Sequence, residues 1–168
     1  NGSSWTQLGL DIDGDENYGI TGSSVSLSSS GGIVAVGSPG NDGAGGYAGH
    51  TQIFSYNGNS WIQLGQDIEG EDLYADHSGS SVSISSDGMT VAIGAIKNDG
   101  NGSHSGHVRI YNYNGTSWVQ SGYDLDGEAV GDESGTISLS ADGKIVAIGA
   151  PYNDGETSNA IIFDRGHV

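Results

Sequence analysis

Apolar residues fall at every second position through SVSLS, SVSIS and TISLS, where Val25 and Leu27, Val82 and Ile84, and Ile137 and Leu139 are the repeated pairs. A period of two puts one set of side chains on one face of an extended strand. After a short Ser/Asp/Gly turn, each stretch gives way to a nearly unbroken apolar run, IVAVG, TVAIG or IVAIG. Continuous apolarity over so few residues predicts a strand covered on both faces. TQIFSY and VRIYNY supply a third strand, and the Asn-Gly pairs at Asn57 and Asn114 turn the chain into a fourth, SWIQLG or SWVQSG. Glycine in these turns provides the positive φ that tight hairpins need.

The pattern recurs as a whole. NGSSWTQLGLDIDG from Asn1 returns as NGNSWIQLGQDIEG from Asn57 and NGTSWVQSGYDLDG from Asn114. GSSVSLSSSGGIVAVGSPGNDG from Gly22 returns from Gly79, and from Gly135 one residue shorter. A fixed period near 57 residues marks units that are each too small to bury their own apolar face and must lean on neighbours. Four antiparallel strands per unit, joined by hairpins, is the plan of a β-propeller blade. The expected fold class is therefore all-β, with four-stranded antiparallel blades.

Several residue sets then resemble a known family. Gly79–Ser83, Val91–Ala95 and Gly106–Tyr111, with their counterparts in the other copies, are similar to the FG-GAP repeats of integrin α-subunit propellers and their microbial relatives. Ser38-Pro39 and Ala150-Pro151 stand where that family has Ala-Pro. The resemblance implies a non-enzymatic, extracellular or cell-surface propeller. Two positions depart from it. The Phe of the motif is Thr21, Ser78 or Ser134, and the family's acid-rich calcium loop is reduced to SSSGG, SSDGM or SADGK. The resemblance therefore carries no calcium over to that loop.

The copies place the units out of phase with the chain. Residues 1–13 read as a lone outer strand, 22–69 and 79–126 as two blades, and 135–168 as an incomplete third. In that third unit the Gly-His pair at Gly166-His167 matches Gly49-His50 and Gly106-His107, which assigns GHV to the third strand and leaves ETSNAIIFDR as an inserted loop; the alternative makes NAIIFD the strand. Two and a half blades leave strand edges and apolar faces open. Three resolutions stand: an excerpt of a longer propeller, two copies in a six-bladed ring, or the lone strand completing another copy's broken blade head to tail. The start at Asn1 rather than Met fits a processed product or an excerpt. Ile161, Ile162 and Phe163, an apolar run in the odd loop, are the expected assembly contact.

Charge narrows the partners. Four Lys and Arg oppose 21 acids, for a net charge of −17. Nucleic acids and anionic membranes both require a basic surface, which four cations cannot make, and no apolar run is long enough for a membrane helix. Calcium is the candidate ion. Asp11, Asp13, Asp15 and Asn17 alternate in DIDGDEN with the oxygen-ligand spacing of a calcium loop; the competing reading is an exposed acidic connection. Trp5, Trp61 and Trp118 share one repeat position and are expected to pack along the sheet, with sugar stacking as the alternative. His50, His107 and His167 each open a third strand, too far apart to share a metal, while His77 and His104 read as isolated. No G-x-S-x-G elbow or H-E-x-x-H occurs. Asn1, Asn101 and Asn114 begin glycosylation sequons in turns or loops. Cysteine is absent. The expectation is an extracellular structural or adhesive repeat protein without covalent chemistry, its partners copies of itself or further blades. The alternative is a lectin-like module that binds glycans, with or without calcium.

Overall fold

The computed structural model describes residues 4–15, 18–42, 46–71, 75–154 and 160–164. They form three antiparallel sheets in chain order, and no helix occurs among them. The first sheet holds β1 (Ser24–Leu27), β2 (Ile33–Ser38), β3 (His50–Tyr56), β4 (Trp61–Gln63) and β5 (Ile68–Glu69). The second repeats it with β6 (Ser78–Ile84), β7 (Thr90–Ala95), β8 (His107–Tyr113), β9 (Trp118–Gln120) and β10 (Leu125–Asp126). The third has β11 (Thr136–Leu139), β12 (Ile145–Gly149) and β13 (Ala160–Asp164).

Two features differ from the four-strand reading. The third strand is long enough to hold two partners. The end of β3 pairs with β4, and its start, His50 and Thr51, pairs with Glu69 and Ile68 of β5; β8 treats β9 and β10 alike. The acidic segment after the fourth strand is thus half sheet, and Ile68 lies in the core. Secondly, the third strand of the last unit is Ala160–Asp164, paired along β12 with Phe163 opposite Val146 and Ile161 opposite Ile148. The GHV assignment is corrected, because the apolar AIIFD run completes the IVAIG sheet in register. The GHV residues themselves lie outside the described residues. Residues 4–13 carry no assigned strand.

The alternation in the first strands has two readers. Val82 and Ile84 of β6 face back onto the first sheet, joining Ala35, Ile53, Ile68, Val91, Ile93 and Trp118 in one buried cluster. The intervening serines face forward. Ser26 Oγ accepts the Ile84 N–H at 3.1 Å, Ser83 Oγ accepts the Leu139 N–H at 3.0 Å, and Ser81 Oγ accepts the Ile137 N–H at 3.2 Å. Polar residues that alternation alone would assign to solvent therefore knit neighbouring sheets. The turns add a second line of bonds: Ser29 donates its N–H to Ser86 O at 3.0 Å, and Ser86 donates to Ala141 O at 2.8 Å. Gly88 sits in such a turn with φ +75°, and a Cβ there would meet Ile33 Cδ1 at 2.5 Å. The equivalent Gly31, with no sheet before it among the described residues, faces open space.

The end sheets show what the stacking supplies. Val82 and Ile84 are each 7% exposed, whereas their counterparts Val25 and Leu27 on the first sheet are 63% and 60% exposed. At the other end, Ile53 is fully buried beneath the second sheet, but its counterpart Ile162 on β13 is 71% exposed.

Candidate functional site

The strongest polar constellation occurs twice, at the start of β3 and of β8. In the second sheet Arg109, two residues after His107 on β8, projects between Glu71 of the preceding connection and Asp124 of the turn after β9. Its guanidinium bonds Asp124 through Nε and Nη2, both at 2.7 Å, and also pairs with Glu71. Gln120 donates to the same Asp124 carboxylate at 2.7 Å. Burial disfavours the Arg109 charge, but the bonds to Asp124 and Glu71 outweigh it and hold the group firmly protonated. The Arg109 hydrogen bonds keep the Asp124 carboxyl below its ordinary range, and burial followed by the Arg109 charge pushes His107 down.

The first sheet has the same frame without the cation. Asp15, His50 and Asp67 correspond to Glu71, His107 and Asp124, and in each set the ligand-type atoms lie within 4.8 Å of one another. Gln52 stands where Arg109 does and donates to Asp67 at 3.1 Å; Gln63 donates to the same oxygen. His50 is buried, with Nδ1 4.0 Å from Asp67 and Nε2 lacking a hydrogen-bond partner. Asn41 donates to Asp15 at 3.3 Å, as Asn98 does to Glu71 at 3.4 Å. A cation at Asp15, His50 and Asp67 would meet one imidazole and two carboxylates, a set suited to zinc or manganese more than to calcium. Neither group was evident in the sequence analysis, although the signal was present: a Gly-His, a Gln or Arg two residues on, and an acid at one repeat position.

The expected calcium ligands are only partly among the described residues. Asp15 joins His50 and Asp67, while Asp11 accepts from Gln7 at 2.8 Å; Asn17 lies outside the described residues. His77 and His104 are not isolated, since His77 is pushed down by burial and then by the charges of Lys97 and His104. Among the sequons, Asn101 spends its side-chain NH2 on Gly127 O at 2.8 Å and Glu128 O at 3.1 Å. That is the nitrogen a glycan would need. Asn114 caps its exposed turn through Oδ1, which accepts the Thr116 and Ser117 N–H groups at 2.9 Å. Asn1 lies outside the described residues.

The three tryptophans occupy one repeat position in three environments. Trp118 is 4% exposed, packs against Tyr113 at 5.2 Å and donates from Nε1 to Leu64 O of the preceding unit at 2.7 Å. Gln66 clasps its backbone, accepting the Trp118 N–H and donating to its carbonyl. Trp61 is half-buried against Tyr56 at 5.3 Å and donates to Leu8 O at 2.8 Å. Trp5 is fully exposed. Leu8 and Gly9 therefore hold, against the first sheet, the place that Leu64 and Gly65 hold against the second. Of the expected assembly run, Phe163 packs into a cluster with Ala92, Val108, Val146 and Ile148, and Ile162 faces outward.

No curated protein matches the sequence. Among solved structures, Kuenenia stuttgartiensis hydrazine synthase is similar in fold, with a TM-score of 0.52, 13% identity and 84% of this chain covered. The chain spans 33% of that structure's length. The model of the FG-GAP repeat matches residues 72–111, from the connection before β6 through β7 into β8. This chain therefore carries an FG-GAP-like repeat at residues 72–111.

Proposed function

We propose that the chain is a structural or adhesive module of propeller-type blades, exposed outside the cell, that works by associating side by side with further blades and performs no covalent chemistry. One observation carries this reading: its two end faces are open and complementary. The first sheet presents the exposed Val25 and Leu27, whose counterparts Val82 and Ile84 bury themselves against Ala35 and Ile53. The third sheet presents the exposed Ile162, the counterpart of Ile53, together with the exposed Ser138, the counterpart of the bonding Ser26 and Ser83. Apolar area of this kind gains roughly 25 cal/mol per Å2 when covered, and contiguous exposed patches mark association sites. The family resemblance supports an extracellular setting, and the exposed Asn114 turn offers room for a glycan.

Light scattering of the native chain over a range from micromolar to near-millimolar tests the association. The mass should rise with concentration, and the Val25→Ser/Leu27→Ser and Ile162→Ser variants should each suppress the rise. A mass that stays at one chain throughout, or is unchanged in both variants, would refute the reading.

A further inference from the structure

We propose that Asp15, His50 and Asp67 bind a divalent transition-metal ion, zinc by preference, which takes in the first sheet the place that the Arg109 guanidinium takes in the second. The inference is independent of the association reading above.

The two frames match in sequence and in register. His50 and His107 open β3 and β8, and two residues on, Gln52 lies opposite Val36 as Arg109 lies opposite Ile93. Asp67 and Asp124 each accept from the glutamine that ends the fourth strand. Asn41 and Asn98 each donate to the acid of the preceding connection. What differs is charge. Arg109 lies between Glu71 and Asp124 and balances them, whereas Gln52 bonds Asp67 but is neutral. Among the described residues no Lys or Arg pairs with Asp15 or Asp67. Two carboxylates drawn together beside a buried imidazole repel each other, and a shared cation relieves that repulsion. Every group of the second frame comes from residues 71–124, and its counterpart in the first from residues 15–67. The first frame is therefore complete within its own unit.

His50 points to a metal rather than to an organic cation. It is 1% exposed, its Nε2 lacks a hydrogen-bond partner, and one of its ring nitrogens lies within 4.8 Å of a carboxylate oxygen of both acids. Its Nδ1 stands 4.0 Å from Asp67, too far for a hydrogen bond. An imidazole nitrogen left unpartnered in the interior is costly, and a metal ion engages it as a lone-pair donor. His107 is likewise unpartnered at one nitrogen, Nδ1, beside acids that Arg109 already neutralises. The donor set is thus common to both units, and the residue two positions on decides which cation sits on it. One imidazole and two carboxylates form a mixed nitrogen and oxygen set, which favours zinc over calcium. Ligand atoms around a tetrahedral zinc are about 3.4 Å apart. Rotation of the exposed Asp15 side chain closes the remaining distance, and solvent supplies the fourth ligand.

Isothermal titration of the metal-stripped full chain with zinc chloride near neutral pH tests the site. The native chain should take up one ion, with no cysteine to compete for it. Gln52→Arg installs the second sheet's own cation and should weaken that uptake roughly tenfold or more, as should His50→Gln. Arg109→Gln should gain a second ion, held by Glu71, His107 and Asp124. Calcium at the same concentration should not displace the zinc. Circular dichroism establishes that each variant is folded, and Gln52→Arg is the decisive one, because β8 already accommodates arginine at that register position. No saturable uptake by the native chain, or uptake that Gln52→Arg leaves intact, would overturn the site, the latter by placing the ion on other acids or histidines. A folded Arg109→Gln chain that gains no ion would break the equivalence of the two cations, and ready displacement by calcium would contradict a histidine-bearing site; either result overturns the proposal.

Discussion

Three tryptophans at one repeat position should differ in what they contribute to stability, in an order that the structure sets. Trp118 lies in the core, holds an inter-unit hydrogen bond to Leu64 and packs on Tyr113. Truncating a buried aromatic of this kind costs about 3–5 kcal/mol, a large part of the roughly 5–15 kcal/mol that holds a domain together. Trp61 makes the same hydrogen bond to Leu8 but is covered by an irregular segment instead of a full sheet. One net hydrogen bond of about 1 kcal/mol and partial apolar burial put Trp61→Ala at about 1–2 kcal/mol. Trp5→Ala in a monomer should fall within about 0.5 kcal/mol of zero, as for exposed positions generally. Urea unfolding followed by circular dichroism serves better than fluorescence, since each variant removes a fluorophore, and dilute chains keep association out of the measurement. Trp118→Phe, which retains the ring contact but not the donor, should recover most of the Trp118→Ala loss, leaving a deficit of about 1 kcal/mol. Equal costs at Trp61 and Trp118 would show that the stabilisation comes from within each sheet. The stacking argument would then fail.

Arg109→Gln leaves Glu71 and Asp124 facing each other without a cation; partial exposure of both acids limits the cost to about 1–3 kcal/mol, while Gln52→Arg should be neutral or mildly stabilising, both readable as urea midpoints. Stability should decline on acidification from pH 7 to 5. His107, facing Arg109, Asp124, Glu71 and Asp76, is depressed by burial, so its contribution is full above about pH 6.5 and is lost as pH falls through the lowered value; His107→Gln should flatten that slope. Asp124, lowered chiefly by Arg109, adds a second loss that begins only below about pH 4. Gly88→Ala should cost about 2 kcal/mol or more, because positive φ and the Ile33 side chain both resist a methyl group. Gly31→Ala, with similar φ and free space, should cost about 1 kcal/mol, and thermal unfolding of the pair separates the two terms.

Period-two alternation was enough to locate β1, β6 and β11, because each carries the same apolar pair on one face, packed against the preceding sheet in β6 and β11. The unbroken IVAVG and TVAIG runs were legible as covered strands for the same reason. What alternation could not show was the destination of the serines: a hydroxyl facing solvent and one accepting a neighbour's N–H look alike in a sequence. Nor did it resolve β5 and β10, two residues each, whose strand character comes from the third strand having spare length to pair. The last unit misled through Gly-His, whose recurrence at Gly49-His50 and Gly106-His107 outranked the apolar run AIIFD. At the candidate site, Asp15 was legible as a ligand-type residue but its companions were not. His50 and Asp67 reach it through the fold, from the third strand and from the turn after the fourth.

The serine-to-serine line of turn bonds, from Ser29 to Ser86 and on to Ala141, runs in one direction, each turn donating toward the later unit. A leading turn consequently has a carbonyl to offer and a trailing turn an N–H, whatever the number of units between them. Because both joints repeat this turn bond, a further unit could be added or removed without redesigning it. Length in such an array is free to drift, while direction is conserved by the chemistry of each joint.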